Sequence, residues 1–429
     1  MSTPPGNSAT PLTSRTATVI CDEPSVWSSD RVLQDFDHHA PEASTDRLQV
    51  IRRVQAHPVF HTTSHGGHWV VTSYDLAKAV LRDHHRFSSR KNSDGSGGVI
   101  IPSNDWPPLC PPEYDGQEHR AIRRVLAPWF KPRAIEAMRP RIEQFVTEAI
   151  DRVIERGSFD VVHDIAHYLP ASVILDLLGI AQADREFFIT AMQTLVKIVP
   201  RAQVDPAIAE QFRNELAELD RAKLLVKSLL ESRRKSPRDD LISHIVQNPC
   251  GLSEDQLALF VFTLLIGGDE NPAAFIENVM LMLSEDEELR RRLIQDSQLI
   301  PVAIEEMLRV VTPAVSLVRN VVQDTELDGH QLTAGERVLI WLPGANYDSR
   351  QFERPQDMVL GADKCPHLAF GAGPHQCPGD HLTRLEVELL LHAVLTRMPN
   401  YRVDIANSVR TADAATMYGW QTMPAVTNC

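Results

Sequence analysis

Two cysteines and three histidines fall within one short stretch of the chain, CPHLAFGAGPHQCPGDH at residues 365–381. Cys365, His367, His375, Cys377 and His381 all carry side chains that bind metals. Zinc is the first chemistry to consider. Cys365, His367, His375 and Cys377 would supply two thiolates and two imidazoles. Each Cys-x-His or His-x-Cys pair, however, leaves one residue between the ligands, tighter than the usual spacing of about two to four. Nothing outside the cluster completes a zinc knuckle.

The glycines point elsewhere. Gly371, Gly373 and Gly379 surround Cys377 and allow backbone angles and close approaches that side chains forbid. Pro378 follows, read as a first helical position, and GDHLTRLEVELLLHAVLTRM (379–398) is strongly helical. Cys377 then lies at the mouth of a helix N-terminus, where orphan N–H groups and the helix dipole stabilise a thiolate. A thiolate on a glycine-relieved loop suits a planar macrocycle, and is the ligand that pushes electron density onto a haem iron.

FGAGPHQCPG (370–379) resembles the haem-binding signature of the cytochrome P-450 haem-thiolate monooxygenases, Phe-Gly-x-Gly-x-x-x-Cys-x-Gly. The resemblance implies that Cys377 is the iron ligand. It sets Phe370 against the sulfur and His375 at a haem propionate, with Gly371 and Gly379 shaping the loop. Cys365 and His367 become a buried free thiol and a loop residue. Further motifs follow in family order over about residues 45–426. EEMLR carries Glu306 and Arg309, similar to the family's Glu-x-x-Arg pair beneath the haem. DGQEHRAIRRVLAPWF (115–130) resembles the helix bearing a His-x-x-x-Arg propionate clamp, here His119 and Arg123. Arg319 falls where another propionate-binding arginine is expected. GWQTMPA (419–425) resembles the turn that closes the substrate pocket.

The elements that position these residues are mostly helical. Ser253 reads as an N-cap, and the helix from about 254 to 285 is apolar on every side between Leu257 and Ile266, hence buried. It would run on the order of 45 Å at 1.5 Å per residue. Where the family has small-Gly-x-acid-Thr, this helix carries Gly267-Gly268-Asp269-Glu270-Asn271-Pro272. The resemblance implies that both glycines let the helix pass close to the haem and leave a groove for dioxygen. Glu270 takes the acid position as proton relay, and Asn271 replaces the threonine; an amide both donates and accepts, so it can order the same water. Pro272 should loosen the helix. A second departure is Ala362, where the family carries an arginine completing a triad with Glu306 and Arg309.

Elsewhere, HWVVTSYDLAKAVL (68–81) reads as strand then helix, residues 91–114 as a long loop fit for a lid, and 117–247 as amphipathic helices broken at 197–206. Residues 298–311 read as helix. Beta segments follow at 316–323, 330–343 and 409–426. The fold expected is therefore mainly α with a small β portion, the cytochrome P-450 fold, with haem between the long central helix and the cysteine loop. Residues 1–25, rich in Ser, Thr and Pro, read as a mobile tail, and 26–429 as a single haem domain.

Composition sets outer bounds. A formal net charge of −14 argues against nucleic acid as partner, and the six cysteines are scattered without a C-x-x-C pair, as in a reduced cytoplasmic protein. No apolar run reaches the ~18 residues of a membrane span. The resemblance implies haem b, O2 as co-substrate, and a monomeric monooxygenase. Its electrons would come from a ferredoxin and NAD(P)H-dependent reductase docking near Arg120, Arg124, Lys364 and Arg384. Pocket candidates are the 91–114 loop with Trp106, the 184–206 break, Thr263, Ile266, Val315, Leu317, Met417 and Tyr418, mostly apolar, for a lipophilic or aromatic substrate. Two rivals stay open at this point: a peroxide-driven or oxidative-coupling member, against which Glu270 speaks, and a catalytically silent auxiliary protein, against which Cys377 speaks.

Overall fold

The computed structural model describes residues 33–427 apart from 93, 104–105, 195–205, 362–364 and 412–416. The tail at 1–25, nearly all of the 197–206 break, Ala362 and Lys364 lie outside the described residues. The helices that matter to the site are α1 (Gly116–Phe130), α2 (Arg139–Arg156), α3 (Tyr168–Leu178), α4 (Arg213–Lys235), α5 (Glu254–Glu285), α6 (Ile300–Val311) and α7 (Asp380–Arg397). The strands β1 (Val59–Thr62), β2 (His68–Val71), β3 (Phe87–Ser88), β4 (Ser316–Val321) and β5 (Arg337–Trp341) form one sheet in the order β1-β2-β5-β4-β3. Its centre is mixed: β2 and β5 run parallel, Val70 beside Leu339, while β4 and β5 run antiparallel, Arg319 beside Val338.

The strand-then-helix reading of 68–81 is met by β2 and a helix at Tyr74–Arg82. Val70 and Val71 are buried, while Leu76 is half-buried against the sheet's core. The C-terminal beta segments pair as short strands, Val409–Arg410 with Trp420–Thr422 and Pro424–Val426 with Ser158–Asp160.

α5 starts with a full capping box: Ser253 Oγ accepts from the Gln256 N–H at 3.3 Å, and Gln256 Oε1 accepts from the Ser253 N–H at 2.8 Å. The helix runs through the main core, flanked by α3 and α4, and its side chains from Phe260 to Leu265 are almost all buried. Pro272 does not interrupt it; helix continues to Glu285. What Pro272 does remove is the N–H that would bond the Gly268 carbonyl one turn back. Two helical stretches, Val161–Leu178 and α5, are long and apolar enough to cross a membrane, contrary to the count of uninterrupted apolar residues. Both are mostly buried within the protein, 83% and 67%, which makes them core helices.

The two central glycines have different surroundings. A Cβ on Gly268 would come within 2.6–2.9 Å of three Ile174 side-chain atoms, so this glycine lets α3 and α5 approach. That corrects the expectation that both glycines open a groove. A Cβ on Gly267 meets nothing within 4 Å. Gly268→Ala should therefore destabilise the fold by about 1–3 kcal/mol through overpacking. Gly267→Ala should cost nothing or gain up to about 1 kcal/mol from helix propensity. Urea unfolding of both variants checks this; equal effects would contradict it.

Candidate haem-thiolate site

The cysteine loop is closed by its own backbone. The Cys377 N–H donates to the Phe370 carbonyl at 2.9 Å, and the Gly371 N–H to the Leu368 carbonyl at 2.8 Å. Gly371 and Gly373 take positive φ of 68° and 72°, and a Cβ on Gly373 would lie 2.7 Å from the Leu81 carbonyl. Gly379 has an ordinary φ of −87° and is the N-cap of α7. The helix thus begins at Asp380, and Pro378 sits in the turn before it rather than at the first helical position. Burial pushes the Cys377 thiol up to about 11, against the opposing pull of the Gly379 N–H, Arg123 and Arg384. Coordination to a metal would offset that burial and favour the thiolate.

Around the sulfur, α1 brings its polar face. His119, Arg123, Gly373 and Cys377 line one cavity of about 950 Å3, which Arg120, Arg124 and Lys131 share. The His119 ring stacks on His375, centroids 4.0 Å apart at 28°. His375 Nε2 lies 3.0 Å from Asp115 Oδ1, so His375 is held by a protein carboxylate. Asp115 was not singled out by sequence, although it directly precedes α1, where acidic residues concentrate. Burial works against its charge, but bonds from His375 and Ser88 hold the carboxyl at about 2.

Arg319 is 3% exposed on β4 and donates to the Val318 carbonyl at 2.8 Å. Among the described residues it has no carboxylate within ion-pair distance. Burial depresses its guanidinium to about 10, with Asp115 only partly compensating. Arg123 shows the same downward pull from burial. Two buried or half-buried guanidiniums without anions are costly unless an anion joins them.

Glu306 and Arg309 form the buried pair expected of α6, Nη2 to Oε2 at 2.9 Å. Arg309 also donates to the carbonyls of Asn346 at 3.2 Å, Pro355 at 2.7 Å and Asp357 at 2.7 Å. The Val359 N–H donates to Glu306 at 3.2 Å. Arg384 is not a free docking cation. It binds Glu305 at 2.6 Å and Asp380 at 3.1 Å, with its guanidinium 4.7 Å over the Phe370 ring. His367 reaches the same Glu305 at 3.3 Å, and the Cys365 thiol is pushed up by burial and its bond to Glu306.

On α5, Leu259, Thr263, Ile266, Gly267 and Asn271 are only partly buried or exposed while most of their neighbours are buried. Their spacing puts them on one face. A long core helix with one incompletely packed stripe borders an internal space. Asn271 Oδ1 on that stripe is buried without a hydrogen-bond partner among the described residues. Of the pocket candidates, Met417 bridges Ala314 in β fashion and the Tyr418 N–H donates to the Pro313 carbonyl at 2.9 Å, which brings 313–317 and 417–418 together. Val315 is core, packed with Phe36 and Trp341, and Leu317 lies near Gly371. The Tyr418 ring is gripped between Arg47 and Arg410, each 4.2 Å from its centroid. Trp106 packs on the main core, and its carbonyl accepts from Lys91 Nζ at 2.6 Å.

Sequence reasoning also missed the charges buried behind α5. Asp269 faces His167, with Nδ1 3.1 Å from Oδ2, and both are buried. Burial alone would lower the imidazole; Asp269, then Glu270 and Glu277, overcome it and hold His167 up at about 9. Glu386 of α7 is buried nearby, and burial with Asp269 raises its carboxyl well above the usual range, so it stays neutral. The signal was a charged pair, Asp269-Glu270, inside an apolar run. A raised histidine stabilises fully below its unfolded value of about 6.5 and loses that contribution as pH rises through 9. Unfolding free energy should fall across that window by on the order of 3 kcal/mol. His167→Gln should flatten the slope in denaturant titrations; an unchanged slope would contradict the pairing.

Comparison with known proteins adds family evidence. A family model described as Cytochrome P450 matches residues 59–418. The chain is 33% identical over 347 residues to 6-deoxyerythronolide B hydroxylase of Saccharopolyspora erythraea, spanning 77% of this chain and 83% of that protein. It is 30% identical over 372 residues to steroid C26-monooxygenase of Mycolicibacterium smegmatis, spanning 86% and 89%. Among solved structures, P450 EryK in complex with erythromycin B superposes with a TM-score of 0.79 at 28% identity over 91% of this chain and 98% of that one. The cytochrome P450 PksS of the Bacillus subtilis 168 bacillaene polyketide synthase gives 0.80 at 26% identity, over 92% and 100%.

Proposed function

Since this chain belongs to the cytochrome P450 family and is a haem-dependent monooxygenase that uses O2, we propose that it oxygenates a lipophilic substrate with electrons from a ferredoxin. The residues present fit haem b. Cys377 would hold the haem iron through its sulfur, and its raised thiol is the kind that a bound metal deprotonates. Arg319, Arg123, His119 and His375 would take the propionates, which answers the want of an anion beside two buried cations. When bound, the haem supplies oxygen activation; orientation, electrostatics and exclusion of water fall to the protein.

The observation that carries the reading is the open stripe on α5. Leu259, Thr263 and Ile266 offer it an apolar floor, with Gly267 leaving space and Asn271 at its end. Thr263 turns its hydroxyl to the Leu259 carbonyl at 2.8 Å, which leaves its methyl to the stripe. Such a surface suits an apolar molecule, in keeping with relatives named for 6-deoxyerythronolide B and for a steroid. The cations Arg120, Arg124 and Lys131 on the cysteine side are exposed and complement an acidic redox partner. Residues 26–429 act as one haem domain, a monomer in the cytoplasm.

Glu270 and Asn271 are adjacent where Pro272 leaves the Gly268 carbonyl without its helical donor. Asn271 Oδ1 can accept from a water while its amide donates, and Glu270 can pass a proton to that water. Asn271→Ala should lower product formed per NADPH consumed by several-fold, with the excess appearing as hydrogen peroxide, while substrate affinity holds. Unchanged coupling would remove Asn271 from proton delivery.

A further inference from the structure

Five of the chain's histidines, His38, His39, His61, His65 and His68, crowd the outer edge of the sheet, distant from Cys377 in the sequence. The rings of His38 and His39 lie 4.4 Å apart, those of His39 and His65 4.7 Å, and those of His38 and His65 5.6 Å. One ring nitrogen from each of His38, His39 and His65 lies within 4.8 Å of the others. We propose that these three imidazoles bind one divalent transition-metal ion of the zinc type, with a water oxygen completing the shell.

The donor set is already convergent. His38 Nε2 and His39 Nε2 each donate to the same Ile101 carbonyl, at 3.3 and 2.7 Å, which orients both rings and leaves their lone pairs on Nδ1. With bonds of about 2.0–2.1 Å, ligand atoms around tetrahedral zinc stand about 3.3 Å apart, so small side-chain rotations close the site. Three imidazoles select zinc, copper or nickel; calcium and magnesium prefer all-oxygen sets. The set has support behind it as well. Asp37 Oδ1 lies 2.7 Å from His65 Nε2 and accepts from the His39 N–H at 2.8 Å. A carboxylate on the far side of an imidazole fixes its tautomer and orientation for a metal.

Two further observations ask for a ligand here. His38 is 1% exposed, and its Nδ1 has no hydrogen-bond partner among the described residues. His65 adopts a left-handed φ of 53°, unusual for a residue with a side chain, just before Gly66 and Gly67 at 85° and 90°. That turn sets the ring against Asp37 at the protein surface, which leaves an entry path. The other trio of possible ligands, His167, Asp269 and Glu270, differs in kind. There the imidazole is protonated by its acidic neighbours and has no lone pair to offer.

The ion would tie two separate pieces of chain and steady a third. His38 and His39 follow the first described helix turn, His65 lies between β1 and β2, and Ile101, which accepts from both rings of the first pair, belongs to the 91–114 loop read as a lid. Arg337 already holds that loop from β5, donating to the carbonyls of Gly98 and Ile100 at 3.0 Å each. A bound ion would fix its other side.

The test is calorimetric titration of tag-free holoprotein with Zn2+, with X-ray absorption at the zinc edge. The expected result is one equivalent of zinc in a shell of three imidazoles plus oxygen, with a higher Tm. His65→Ala and His39→Ala should weaken binding by about 10-fold or more, and His84→Ala/His85→Ala, a neighbouring histidine pair elsewhere, should not. His65 is at the surface, so its variant folds. No saturable binding, a shell lacking imidazole, or equal affinity in wild type and both variants would overturn the proposal.

Discussion

A thiolate shielded from bulk water is costly to keep charged unless a cation is bonded to it, and Cys377 is half-buried on the wall of a cavity under α1. Burial drives its thiol up to about 11 even though the Gly379 N–H and two arginines pull the other way. The loop nevertheless invests two left-handed glycines and a backbone bond to Phe370 in holding the sulfur at the mouth of α7. An arrangement that opposes its own ionisation makes sense when metal coordination supplies the missing stabilisation. The surrounding cations show the matching need: Arg319 is buried with no ion-pair partner among the described residues, and Arg123 is depressed by the same burial. One dianionic, metal-bearing group satisfies both halves.

The scaffold beneath follows from that demand. Arg309 is buried and must have its donors satisfied, and it meets Glu306 and three carbonyls from the 346–357 stretch. Those bonds fix the segment that leads into the cysteine loop. Arg384 plays a similar part from α7, joining Glu305 and Asp380 and covering Phe370. α5 closes the other side as a core helix with a single incompletely packed face. Asp269, paired with His167, lies in the buried interior behind that face.

Local signals made much of this legible. The glycine pattern around Cys377, the capping residue Ser253 and the all-apolar run of α5 depend on neighbours in sequence, and the helix and loop formed where those signals stood. What resisted reading depends on contacts between distant segments. The carbonyl partners of Arg309 carry no residue code that a sequence motif could show. Gly268 looked like a cofactor glycine, but what it accommodates is Ile174 of another helix. Arg384 looked like surface charge until Glu305, from α6, came beside it. Tyr418 looked like pocket lining, and its ring is taken by Arg47 and Arg410, which no spacing rule connects. The histidines at 38, 39 and 65 converge only once β1 and β2 bring their connecting turn beside the N-terminal segment.

The account's central claim is that one sulfur atom ligates the haem iron, and the carbon monoxide difference spectrum of the dithionite-reduced protein tests it most directly. The account predicts the strongly red-shifted Soret band that a thiolate opposite carbon monoxide produces, and its disappearance in Cys377→Ala. A reduced complex with the unshifted band of a neutral ligand, or a red-shifted band that survives in Cys377→Ala, would contradict it.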